Sequence, residues 1–184
     1  MRKDAANNRA AIVGAARELI ARDGVEVSMR AIAKEAGVGV ATVTRHFPDR
    51  ACLLHAVVEQ GLASVDELVQ ASLPRFTDNP EDAWRSTIHA IVGLSLPIVA
   101  QQVMPSLATG LDPELVVRKT SILERIYRPF LVRAAEHGFC APDLDAVHFH
   151  LGIIALSRPL PPPADKIFPD EMSWLVDVFI DGLR

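Results

Sequence analysis

Apolar residues along this chain recur at intervals of three and four, the period of a helix with one buried stripe, and no segment alternates as a half-buried strand would. Ile12, Ala15, Ala16, Leu19 and Ile20 mark a first helix, which Gly24 ends by supplying a left-handed residue. Ser28 is placed to cap a short second helix that turns Met29, Ile32, Ala33 and Ala36 inward, and Gly37 closes it. A third short helix spans about Val40 to His46. Pro48 stops it, because a residue ahead of proline is pushed out of the helical region. Asp49 is placed to cap a long fourth helix with Leu53, Leu54, Val57, Val58, Leu62, Val65 and Leu68 on its apolar side.

After Ser72 the stretch LPRFTDNP reads as a turn. Asn79-Pro80 with Glu81 and Asp82 is a helix start, with a cap, a first-turn proline and negative charge at the positive end of the dipole. Asp112-Pro113-Glu114 repeats that signature ahead of a helix to about His137, with Gly138 as its stop. Another helix is expected from about Pro142 to Leu156. RPLPPPADK is a proline-rich connection, and Phe168 to Leu183 makes the last helix. The pattern predicts an all-α fold: a three-helix helix-turn-helix domain in residues 1–50, with the motif at about 28–47, then a helical bundle in residues 51–184.

Composition narrows the picture. With 49% apolar residues in 184, the chain has material for a buried core. Cys52 and Cys140 form no C-x-x-C pair and suggest neither a zinc site nor a disulfide framework, which fits a reducing cytoplasm. The start, MRKDAANNRAA, lacks the apolar stretch of a secretory signal. Ser86 to Leu111 carries no Asp, Glu, Lys or Arg over 26 residues, yet His89, Gln101, Gln102, Pro97 and Pro105 interrupt it, so it reads as a buried helix pair and not a membrane span. Charge is uneven. Residues 1–50 carry nine Lys/Arg against six Asp/Glu, and the remainder ten against seventeen, so only the front of the chain suits a polyanion.

The stretch Met29 to Leu54, MRAIAKEAGVGVATVTRHFPDRACLL, holds the candidate chemistry. Two short helices joined by a tight glycine-containing turn form the unit that lays its second helix in the major groove of double-stranded DNA. Ala33 is small where the helices cross, Gly37 permits the reversal, and Val38, Val43 and Phe47 pin the second helix to the first. Gly39, Val40, Ala41, Thr42, Thr44, Arg45 and His46 are left outward. Arg45 can take guanine O6 and N7 or a phosphate. Thr42 and Thr44 can donate to phosphate oxygens, and Val40 and Ala41 can touch a thymine methyl. Ser28, Arg30 and Arg50 stand at helix starts suited to backbone phosphates, and His46 can contribute similarly.

Residues Asn8 to Glu59 resemble the DNA-binding domain of the tetracycline-repressor (TetR) family. Its pattern is matched by Ala15-Ala16, Gly24, Ser28, Ile32-Ala33, Ala36-Gly37-Val38, Thr42, Phe47, Arg50 and Leu53-Leu54. Two positions depart from it. Thr44 stands where the family usually has tyrosine, losing an aromatic surface against the sugar-phosphate backbone, and Arg50 stands for the usual lysine.

The resemblance implies a C-terminal bundle that binds a small-molecule effector and dimerises through its last two helices, so that a homodimer reads a palindromic operator. Dimerisation would fall to Val147, Leu151, Ile154 and Ala155 on one helix and Leu175, Val178 and Phe179 on the other. The same faces could instead close the monomer core. Trp84, Ile88, Val92, Met104, Leu123 and Tyr127 are candidates for the effector's apolar lining, with His89, Ser95, Gln101 and Thr120 to orient it, although such a stretch also reads as plain core.

His148 and His150, two apart on a helix, face apart and cannot share one metal ion. No cofactor is implied, and there is no nucleophile elbow, P-loop or dinucleotide turn to suggest an enzyme. The reading is a transcriptional regulator, most often a repressor in this family. The alternative is a DNA-bound architectural or cell-division factor of the same fold without a ligand.

Overall fold

The computed structural model describes residues 2–24, 26–94, 113–157, 163, 167–168 and 170–184. They form helices α1 (Arg2–Asp23), α2 (Met29–Glu35), α3 (Val40–His46), α4 (Arg50–Ser72), α5 (Pro80–Gly93), α6 (Pro113–Glu136), α7 (Ala146–Leu156) and α8 (Glu171–Asp181), with a 3-10 turn at Leu73–Phe76. Among the described residues there is no strand. The expected pocket candidates Ser95, Gln101 and Met104, and most of the proline-rich connection, lie outside them.

The chain divides into two compact units, the first running to Leu62 and the second starting at Ala63, inside α4. The first is built on the α1 stripe: Ile12, Ala16, Leu19 and Ile20 are buried with Ile32, Ala33, Val43, Phe47, Leu53, Leu54 and Val57. Local signals set its helix ends. Ser28 Oγ accepts from Ala31 N at 3.1 Å, and Asp49 Oδ1 accepts from Cys52 N at 2.8 Å, a bond that also holds the Asp49 carboxyl below its ordinary pKa. Gly24 and Gly37 take φ of +90° and +67°, which a Cβ would strain.

In the second unit α5 packs on the 3-10 turn, α7 and α8, and α6 packs on α7. Its core is a run of aromatic rings. Phe76 meets Phe130 edge-on at 5.6 Å, Trp84 lies against Phe130 at 4.9 Å and Phe149 at 5.7 Å, and Tyr127 meets Phe149 edge-on at 5.2 Å. α7 begins later than its sequence suggests, at Ala146 and not near Pro142. Asp145 Oδ1 caps it by accepting from His148 N at 2.8 Å, and the residues before it form a turn in which Leu144 N donates to Ala141 O. The last helix is likewise shorter than Phe168 to Leu183.

Candidate nucleic-acid interface

α3 owes its orientation to two buried residues. Val43 and Phe47 are 0% and 2% exposed, so the opposite side of the helix is left to solvent. There the structure brings together Gly39, Val40, Ala41, Thr44 and Arg45, all exposed, with Thr42 half-buried beside them. Residues 40, 41, 44 and 45 are spaced to share one helical face. The Thr44 hydroxyl has its proton engaged: Oγ1 donates to Val40 O at 3.1 Å, one turn back. His46 departs from the expected outward set. It is half-buried against Phe47, and its Nε2 is enclosed without a hydrogen-bond partner among the described residues.

At the flanks, Ser28 and Arg30 are exposed beside the start of α2. Arg50 is half-buried, and its Nη1 donates to Val27 O at 2.8 Å, which ties the start of α4 to the loop ahead of α2. Two contacts were not visible in the sequence: this Arg50 bond, and the Arg9 guanidinium lying 5.3 Å from the centre of the Phe47 ring. Both link residues far apart in the chain.

Residues 12–57 match the family model described as bacterial regulatory proteins, tetR family. The chain carries a TetR-family DNA-binding domain. An HTH-type transcriptional regulator of Staphylococcus aureus strain USA300 is 46% identical over 63 residues, a segment that spans 34% of this chain and 34% of that one. The chain therefore covers about a third of the length of the curated relatives it matches. The TetR fold extends over the rest. A TetR transcription regulatory protein of Mycobacterium vanbaalenii superposes over 100% of this chain and 98% of its own, with TM-score 0.65 and 25% identity. A Streptomyces coelicolor TetR regulator (TM-score 0.63, 24% identity, 96% of this chain and 98% of that one) and RolR in complex with resorcinol (0.54, 23%, 100% and 90%) share the fold.

In the TetR-type second unit, Trp84, Ile88, Val92 and Tyr127 are buried, and Thr120 and Leu123 are half-buried. Thr120 Oγ1 donates to Val117 O at 2.9 Å. His89 Nε2 lies 3.0 Å from Asp177 Oδ1 on α8, beside Arg85, which pairs with Asp177 at 3.1 Å and with Asp181. Trp84 Nε1 is enclosed without a partner among the described residues. Its ring neighbours Phe130 and Phe149 lie at interplanar angles of 32° and 21°, so the in-plane N–H does not point into either face. Tyr127 Oη lies 3.0 Å from His150 Nδ1, where burial raises the phenol pKa and pushes the imidazole down to about 4.

Of the expected dimer-face residues, Leu151, Ala155 and Val178 are exposed, whereas Val147, Ile154, Leu175 and Phe179 are half-buried. Trp174, 58% exposed and one turn before Val178, joins the same stripe; its spacing to Val178 was a usable signal. Among the described residues no three His, Cys, Asp or Glu side chains gather to hold a metal ion, and no helix is long and apolar enough to cross a membrane.

Proposed function

We propose that the chain is a cytoplasmic, homodimeric transcriptional repressor that reads an inverted-repeat operator through α3 and leaves it when a small molecule binds in the second unit. The observation that carries the reading is the exposed Gly39–Arg45 face of α3, held outward by Val43 and Phe47 within a domain that matches the TetR family. Dimerisation is supported by the exposed apolar stripes Leu151/Ala155 on α7 and Trp174/Val178 on α8, two adjacent helices suited to a four-helix contact with a second copy. An effector site is supported by the Trp84 N–H, which has no partner among the described residues of the aromatic core, and by the resorcinol carried by one protein of the same fold. α4 begins in the first unit and ends in the second, so a shift of this one helix would alter the spacing of the two recognition helices in a dimer. DNA and ligand then oppose each other with equal coupling energy.

The test is selection of bound duplexes from a random DNA pool by the full-length chain. An inverted repeat with half-sites about one helical turn apart, roughly 10 base pairs, is expected. No enrichment, with all binding gone by about 0.2 M salt, would leave only nonspecific phosphate attraction and overturn the reading.

A further inference from the structure

Resting on that reading, we infer that the operator is read chiefly through thymine methyl groups, by an apolar strip on α3 made of Val40, Ala41 and the methyl of Thr44, with Arg45 supplying one guanine contact. Three observations converge. Val40 is 44% exposed on the free side of α3, and Ala41 stands beside it in the open, so two apolar side chains adjoin there. Thr44 has only two heavy atoms beyond Cβ. With the hydroxyl proton given to Val40 O, none is left to donate to a phosphate, and the methyl is the part suited to an apolar contact. Spacing puts all three on one face with Arg45, the single cation there, because His46 has turned inward.

The major-groove edge of an A·T pair offers the thymine C5-methyl, whereas G·C offers only donors and acceptors. An apolar strip pressed on G·C removes water from those groups without replacing their hydrogen bonds, so it selects against G·C as well as for thymine. Arg45 stands four residues from Ala41 and five from Val40, about 6 to 7.5 Å along the helix axis, against roughly 3.4 Å per base step, so its guanine is expected about two base pairs from the thymines.

The experiment starts from the duplex recovered from the random pool and replaces each thymine in turn by deoxyuridine, which removes only the methyl. Loss of one buried methyl group predicts about fourfold weaker binding at each contacted thymine. Val40→Ala is expected to abolish most of that difference at one position, and Thr44→Val, which keeps the methyl, to stay within about twofold of the parent. If deoxyuridine is tolerated throughout, if the half-sites lack thymine near a guanine, or if Thr44→Val loses tenfold or more, the inference is overturned while the regulator reading stands. Failure to recover any site overturns both.

Discussion

The bond from Arg50 to the Val27 carbonyl makes Arg50 a structural residue as well as a cation near the DNA face. Replacing Arg50 by Lys keeps the charge and loses the geometry of the guanidinium. The chain should lose about 1 to 2 kcal/mol in a urea titration, while the salt dependence of DNA binding changes little. Arg45 has the opposite profile: Arg45→Ala should leave the urea midpoint alone, cost about 1 to 3 kcal/mol against the selected operator, and relax the choice of base at one position. His150 sets a pH response. Burial places its folded pKa at about 4, below the ordinary 6.5, so between those values the unfolded chain binds the extra proton. Its contribution is fully present above pH 6.5 and is lost as pH falls toward 4, by an amount on the order of 3 kcal/mol. Urea midpoints at pH 7 and 5 should differ accordingly, and His150→Asn should flatten that difference.

At the scale of elements, α7 and α8 meet through an absent side chain. A Cβ on Gly152 would stand 2.6 Å from Phe179 Cε2 and 2.7 Å from Cζ, and the Phe179 ring is itself stacked on Phe149 at 6.2 Å. Gly152→Ala should therefore destabilise by about 1 to 3 kcal/mol through overpacking, visible as a lowered Tm. Adding Phe179→Leu should restore part of it, and a double mutant no better than the sum of the singles would show that this contact does not set the distance. On the side toward α5, α8 is held by the Arg85 pairs with Asp177 and Asp181, with His89 also on Asp177. These groups are partly exposed, so their worth lies more in fixing the angle of α8 than in stability.

For the whole molecule, the proposed dimer makes operator affinity depend on two copies acting together. Val178→Glu places a charge in the exposed apolar stripe of α8 and should yield monomers in sedimentation velocity without unfolding the chain, since Val178 is 51% exposed. Loss of the linked second half-site should then weaken operator binding by about a hundredfold or more. A variant that stays dimeric would place the interface elsewhere.

How much of this was legible in the sequence follows the distance between the interacting groups. The caps at Ser28, Asp49 and Asn79 and the stops at Gly24 and Gly37 act within three or four residues, and the sequence alone determined them, along with the stripe of α1 and the exposure of Gly39, Val40, Ala41, Thr44 and Arg45. The start of α7 was misread because Pro142 and Asp145 both signal a helix start, and the Asp145 cap prevails. Only the tertiary structure decided which way individual side chains turn. Arg50 reaches 23 residues back to Val27, Tyr127 meets His150 across two helices, and Gly152 yields space to Phe179. Such pairings depend on how helices cross, which no local pattern encodes. His46 makes the same point on a single helix: it stands next to exposed Arg45 in sequence, yet packing beside Phe47 encloses its Nε2.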